Sequence, residues 1–363
     1  MKVLTVVGAR PQFIKAAPVS KALRAAGHAE ILVHTGQHYN DNMSAVFFRE
    51  LAIPEPDYNL EVGSGSHGWQ TGQMLMHLEE VIQEQKPDWV LVFGDTNSTL
   101  AGALASVKLQ VSVAHVEAGL RSHNRTMPEE YNRVLTDHCS DLLFCPTQTA
   151  VDNLAREGIT QGVHLVGDTM YDAVLQFAEI ARQGSTILQR LGLTPKGYLL
   201  ATVHRPYNTD VPENLRNILA AFAEIGEPII FPVHPRTRKM IAELDGMFNV
   251  GHGASNVSMI EPVGYLDMLT LEQNARLVLT DSGGIQKEAY FFGVPCVTLR
   301  LETEWVETVE AGWNRLVRLE PSQILHAVKV MLLSARAKER PPLFGDGTAA
   351  QHVVRILTLA THS

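Results

Sequence analysis

"LTDSGGIQKEAYFFGVP", Leu279 to Pro295, joins an apolar run to a helical pattern across a turn built from Asp281, Ser282 and two adjacent glycines. The preceding "RLVL" reads as a buried strand, so the turn lies at the first residues of a helix. A helix start leaves backbone N–H groups unpaired and carries a partial positive charge. Glycine lets an anion approach those groups closely, and serine adds a hydroxyl donor. Ser282, Gly283 and Gly284 therefore read as a phosphate cradle, and Glu288, one helical turn further on the same face, as a carboxylate placed to take ribose hydroxyls. The plain alternative is a tight strand-to-helix turn with Ser282 as its N-cap.

The same strand–turn–helix unit recurs along the chain. "KVLTVVG", "AEILVHT", "DWVLVFGDT", "VSVAHVEAG", "DLLFCPT" and "VHLVGD" form one series, and "YLLATVH", "PIIFPVHP", "VSMI", "RLVLTDSGG", "VPCVTLR" and "NRLVRL" a second. Continuous apolar strands alternating with helices predict parallel sheets covered on both faces. Two series in 363 residues predict an α/β protein of two Rossmann-like, doubly wound domains. The join is expected near "RQGSTILQRLGLTPKG", which gives an N-terminal domain over 1–185 and a C-terminal domain over 186–347. The final helix, within 348–363, could pack on either domain.

Hydrophobic residues make up 45% and charged residues 19%, an ordinary globular balance. Thirty Lys and Arg against 39 Asp and Glu give a net charge of −9, so the basic footprint of a nucleic-acid binder is missing. Cys139, Cys145 and Cys296 are widely spaced in apolar contexts and do not make a disulfide framework. "MKVLTVVGARPQ" has too short an apolar run for a leader or a membrane span. A cytoplasmic protein without nucleic-acid or membrane partners is expected.

In open parallel sheets ligands bind beyond the carboxyl ends of the strands, and the unusual polar residues gather there. "GARPQFIK" has one glycine and is neither GxGxxG nor a Walker loop. Its Arg10 and Lys15, at a helix start primed by Pro11, suit a diphosphate, or are plain surface cations. Asp95 and Glu117 follow the very apolar "WVLVF" and "VSVAHV", a setting suited to proton transfer. The plain alternatives are an N-cap for Asp95 and an ion pair with Arg121 for Glu117. Glu129 and Glu130 follow Pro128 at a helix start, where acids favour the dipole. His204 and Arg205 end the first strand of the second series and could bind phosphate or move a proton. No Cys/His cluster has zinc spacing and no HExxH occurs, so neither a metal nor another cofactor is expected.

Taken together, "VGARPQFIK", "FGDTNSTLA", "HVEAGLRS", "PEEYNR", "HR" at 204–205, "PVHP" and "TDSGGIQKEA" resemble the non-hydrolysing UDP-N-acetylglucosamine 2-epimerases, in order from residue 3 to about 320. The resemblance implies two Rossmann domains facing a cleft, as in GT-B glycosyltransferases, and a homodimer whose last helix crosses back to the first domain. It implies an enzyme that eliminates UDP to leave a 2-acetamidoglucal and then adds UDP back. By resemblance, Asp95, Glu117 and Glu129 form the acid/base set, and Ser282, Gly283 and Gly284 hold the diphosphate. Glu288 holds the ribose, while Arg10, Lys15, His204 and Arg205 lie on the phosphate or leaving-group side.

Three places depart from the family pattern. "TEWVE" puts Trp305 where "TERPE" has an arginine, as also occurs in the branch acting on 2,3-diacetamido sugar nucleotides. Val263 replaces a frequent glutamine, and "SGSHGWQTG" lacks an arginine used by some members for an activating substrate molecule. The rival readings are a GT-B glycosyltransferase, a non-catalytic sugar-nucleotide sensor and a hydrolysing epimerase.

Overall fold

A computed structural model of the chain describes residues 1–37, 48, 53, 55–248, 256–334 and 340–361. Two compact units emerge: residues 1–176 with 342–363, and residues 177–341. The first holds β1 (Lys2–Val7), β2 (Ala29–His34), β3 (Tyr58–Asn59), β4 (Trp89–Phe93), β5 (Ser112–Val116), β6 (Leu142–Cys145) and β7 (Val163–Leu165), all parallel, in the order β3-β2-β1-β4-β5-β6-β7. The second holds β8 (Leu199–Thr202), β9 (Ile229–Pro232), β10 (Val257–Ile260), β11 (Leu277–Thr280), β12 (Cys296–Thr298) and β13 (Asn314–Leu316), in the order β10-β9-β8-β11-β12-β13. Its strands are also all parallel.

The central strands are apolar throughout because both faces are covered. In β8 and β11 this is visible residue by residue. Leu199, Ala201, Leu277 and Leu279 enter one core with Leu215, Phe222 and Phe231. Leu200 and Val278 point the other way, into a core with Tyr198, Leu271 and Ala289. Alternation on a pleated strand thus feeds two layers of helices. In each sheet the strand order reverses once, between β1 and β4 and between β8 and β11, and there the loops diverge to leave a crevice.

The boundary between the units falls within the helix Thr169–Gly184. Its second half is held in the second unit: Phe177 packs edge-on against Tyr265 at 6.0 Å, and Asp267 takes both Ser185 Oγ (2.5 Å) and Arg190 (2.6 Å). The segment Arg182–Gly197 is therefore part of the second unit's fabric rather than a free linker. The last helix, Ala349–Thr361, packs on the helix Arg10–Ala25 of the first unit. Asp172 caps its start, accepting the N–H groups of Ala349 (3.2 Å) and Ala350 (2.7 Å). Trp89 Nε1 donates to Thr361 Oγ1 at 2.9 Å near its end.

Candidate active site

In the first unit the crevice at β1 and β4 is built on Gln12. This buried side chain accepts the N–H groups of Gly8 (2.8 Å) and Ala9 (3.0 Å), and donates to Phe93 O (2.8 Å) and Thr99 Oγ1 (3.0 Å). It ties the turn after β1 to the end of β4. Gly8 admits no side chain, since a Cβ there would lie 2.0 Å from Ser98 Oγ. Arg10 opens the following helix, with Pro11 next to it.

Lys15, from that helix, makes an ion pair with Glu117 at the end of β5. Glu117 is buried and its backbone is left-handed, with φ of +72°, an uncommon and strained conformation for a glutamate. Asp95, after β4, is paired with Arg133 at 2.5 Å, and Arg133 also bonds Glu130 at 2.8 Å. Glu130 accepts the Ser122 N–H (3.0 Å), the Ser122 hydroxyl (2.8 Å) and the His123 N–H (2.9 Å). Burial would raise its pKa, but these donors and Arg133 hold it below the usual carboxylate range. Glu130 is thereby committed to the fold. Its neighbour Glu129, in the first turn of the helix Pro128–Cys139, is half-buried.

Two plain readings of the sequence give way here. Arg121 does not partner Glu117; it bridges Asp137 and Glu157, each at 2.7 Å. Asp95 does not cap the next helix; Thr96 does, with Thr99 completing the capping box.

In the second unit the crevice lies at β8 and β11. Asp281 is wholly buried and gathers four donors: the backbone N–H groups of His204 (3.0 Å) and Arg205 (2.9 Å), Asn208 Nδ2 (3.0 Å) and His204 Nδ1 (3.0 Å). Burial pushes its pKa up, but the His204 and backbone donors outweigh this and hold it below the ordinary value. An ionised Asp281 fixes the tautomer of His204, so Nε2 is the nitrogen available to a ligand.

Ser282 caps the helix Gly283–Phe291, its hydroxyl accepting the Ile285 N–H at 3.4 Å. The fold itself does not require the two glycines. A Cβ on Gly283 would find its nearest neighbours, Glu304 Oε2 and Trp305 Nε1, at 3.7 Å, and one on Gly284 would meet Ser282 Oγ at 3.8 Å. Neither glycine has a left-handed backbone. What the glycines supply is clear space over the first N–H groups of a helix, which suits an anion. The rim is formed by the Arg300–Glu304 pair (3.2 Å) and by Trp305, whose ring lies 3.9 Å from the buried Lys287 Nζ.

Glu288 is buried and accepts the Tyr265 hydroxyl at 2.8 Å. Below it Glu272 is completely buried, with no hydrogen bond to either carboxylate oxygen. Burial first, then the charge of Glu288, push its pKa well above the usual range, so it carries its proton. A cavity of about 340 Å³ nearby is lined by Ile187, Arg190, Leu191, Val263, Gly264 and Asp267.

Asp95, Glu117, Glu129, Arg10 and Lys15 thus belong to the first unit. His204, Arg205, Ser282, Gly283, Gly284 and Glu288 belong to the second. Sequence reading passed over Gln12, Arg133 and Glu272, and took Asp281 only as a turn residue after a strand. For Arg133 a signal existed, since it follows Glu130 by three residues in "PEEYNR".

A family model described as UDP-N-acetylglucosamine 2-epimerase matches residues 21–358. The chain belongs to the UDP-N-acetylglucosamine 2-epimerase family, a family of isomerases. It is 55% identical to a UDP-N-acetylglucosamine 2-epimerase homolog of Methanococcus maripaludis, over 98% of this chain and 99% of that one. It is 50% identical to the UDP-2,3-diacetamido-2,3-dideoxy-D-glucuronate 2-epimerase of Pseudomonas aeruginosa, with the same coverage. Among solved structures, the Methanocaldococcus jannaschii UDP-GlcNAc 2-epimerase, crystallised with UDP-GlcNAc and UDP, superposes with a TM-score of 0.89. The two are 47% identical, over 99% of this chain and 100% of that one. The two parallel sheets are thus those of the GT-B-like epimerase fold. Among the described residues no helix is long and apolar enough to cross a membrane.

Proposed function

We propose that the protein interconverts UDP-N-acetylglucosamine and UDP-N-acetylmannosamine by eliminating UDP and adding it back. The proton at C2 of the sugar is not adjacent to a ketone, so simple enolisation is closed. Elimination breaks the C2–H and C1–O bonds together. A base takes the proton and the diphosphate oxygen leaves with the electron pair. Return of a proton to the opposite face of C2 and re-formation of C1–O complete the inversion. The chemistry needs acid/base groups near C2 and stabilisation of the departing diphosphate.

The observation that carries this reading is the unequal furnishing of two crevices of the same topology. One holds Asp95, Glu117 and Glu129 with the fixed cations Lys15 and Arg133. The other holds an open, glycine-lined helix start beside the Asp281–His204 pair. In this reading the first unit handles the sugar. In the second unit Ser282, Gly283, Gly284 and Arg205 hold the diphosphate, His204 assists the leaving oxygen and Glu288 binds ribose, while Arg10 is a phosphate-side cation of the first. Lys15 acts mainly through Glu117, which it orients.

A second substrate, a UDP-2,3-diacetamido sugar, is favoured by Trp305 at the cradle rim and by the Pseudomonas aeruginosa relative. We further propose a cytoplasmic homodimer that supplies a sugar nucleotide for surface polysaccharide. Dimerisation is supported by Trp69, Met76, Tyr131 and Leu135, large apolar side chains about half exposed on the helices His67–Gln85 and Pro128–Cys139. Both of these helices flank the helix Asn97–Lys108.

Proton NMR of the protein with each UDP-sugar in heavy water tests the activity. The expected product is the C2 epimer carrying deuterium at C2. Free UDP with free sugar would mark a hydrolysing enzyme. Reaction of the diacetamido compound alone would select the second substrate, and no change with either would overturn the epimerase reading.

A further inference from the structure

We propose that His115 is a positioning residue that locks the carboxylate-bearing turns of the first unit together, and that it does so as a charged imidazolium bridging Gly94 and Asp137. His115 lies on β5 and is wholly buried. Its Nδ1 is 2.7 Å from Asp137 Oδ1 and its Nε2 is 2.7 Å from the Gly94 carbonyl oxygen. Both partners are acceptors. A neutral imidazole has one N–H and would turn a lone pair against one of these oxygens. Both bonds form only if both nitrogens carry a proton.

The surrounding charges favour the same state. Asp137 is buried, and its second oxygen accepts Arg121 Nη1 (2.7 Å) and the Gly119 N–H (3.1 Å). Arg121 in turn holds Glu157 through two 2.7 Å bonds. Burial would raise the Asp137 carboxyl, but His115 and Arg121 keep it below its ordinary range. Burial pushes the nearby Cys145 thiol up to about 12, so it adds no charge. His115, Asp137, Arg121 and Glu157 then alternate in sign and cancel. Glu157, the last of the four, is exposed, so the alternation of charge runs from the interior to the surface.

The ring's partners are spread over every segment that bears a proposed acid. Gly94 precedes Asp95, and Glu117 lies two residues beyond His115. Asp137 sits on the helix that carries Glu129, Glu130 and Arg133. Gly94 has φ of +65°, and a Cβ there would lie 3.3 Å from Glu117 Oε2 and 3.6 Å from Lys15 Nζ. The carbonyl that His115 holds therefore belongs to the peptide against which the Glu117–Lys15 pair packs. Moving it displaces Asp95 and Glu117 together. With both nitrogens engaged, His115 has none left for proton transfer and acts only through its neighbours.

The kinetic consequence rests on the proposed roles of Asp95 and Glu117, whereas the charge state does not. Histidine-selective ring ¹⁵N NMR of the wild-type protein is the first test, with the signal assigned by its loss in His115→Gln. Both nitrogens should show imidazolium shifts. A His115 ring with one unprotonated nitrogen would overturn the charged bridge. In the second test, His115→Gln should lower kcat about 100-fold, the scale of an ångström-level misplacement, while UDP affinity and KM stay within about twofold. Undiminished kcat in the folded variant would overturn the positioning role. Should that variant not fold, Asp137→Asn takes its place, with the same loss in kcat expected and the same outcome overturning the role. If the wild type turns over neither sugar, the epimerase reading and the kinetic role fall together, and the ring signals still decide on the bridge.

Discussion

Asp281→Asn is the substitution that most directly probes the second unit, because it changes almost no volume and removes one buried charge. Four donors converge on the native carboxylate: two backbone N–H groups, the Asn208 amide and the His204 ring. An asparagine offers one carbonyl oxygen, enough for two of them, and turns an NH₂ group toward the others. Two buried donors are left unpaired, at about 1–3 kcal/mol each, so the loss is roughly 2–6 kcal/mol. For a unit of this length each kcal/mol moves the melting midpoint by about 2–4 °C, so calorimetry should show a drop of roughly 4–24 °C.

The effect is pH-dependent in a defined direction. The folded-state pKa of Asp281 is depressed, so its contribution is fully present above the unfolded value of about 4 and fades as pH falls through the folded one. Wild type and variant should therefore converge in strong acid. With the His204 tautomer no longer fixed, kcat should fall by about 10² to 10⁴. An unchanged midpoint together with undiminished kcat would refute both the donor accounting and the role given to His204.

Other expectations follow from the same geometry. Gly283→Ala should fold as well as wild type, since its Cβ meets only ordinary contacts, yet calorimetric UDP affinity should drop at least tenfold; unchanged affinity would remove the cradle. Ser282→Ala should weaken UDP binding too, and should also cost about 1 kcal/mol of stability as a lost N-cap, read by denaturant unfolding. Asp95→Asn should nearly abolish deuterium exchange at C2 while leaving UDP binding in place; wild-type exchange would take Asp95 out of the acid/base set. Glu272 has a raised folded-state pKa, so it destabilises progressively as pH climbs above the unfolded value of about 4.3. Glu272→Gln should match wild type in acid and melt higher at alkaline pH, and a pH-independent difference would contradict a protonated Glu272.

The central β-strands were legible in the sequence because they are buried on both faces and read as apolar runs, and the edge strands β7, β10 and β13 because they recur in the same strand–turn–helix series. The exception is β3, which at two residues has no pattern to detect. Strand ends were legible as sites for a topological reason: in a parallel doubly wound sheet, polar residues after consecutive strands converge at one edge. Pairings were not legible. Glu117 and Arg121 stand at helix-like spacing, but a left-handed residue at Glu117 turns its side chain toward Lys15, 102 positions earlier in the chain. Asp281 reads as a turn residue until β8 is set beside β11 and His204 and Arg205 are placed against it. Helical spacing also did not reveal where the units divide, since one continuous helix serves both.

The return of the helix Ala349–Thr361 to the first unit bears on how the chain is made. The second unit is contiguous in sequence and can complete its core as soon as residue 341 is available. The first unit is not contiguous. Its helix Arg10–Ala25 lacks its packing partner, and Asp172 its two N–H donors, until residues 349–361 leave the ribosome. Synthesis runs from the N-terminus, yet here the N-terminal unit is finished last, against the usual order for multidomain chains. Until then an apolar stripe that will receive Val353, Val354 and Leu357 stays open to water. The length of that wait is set by the time taken to translate the entire second unit.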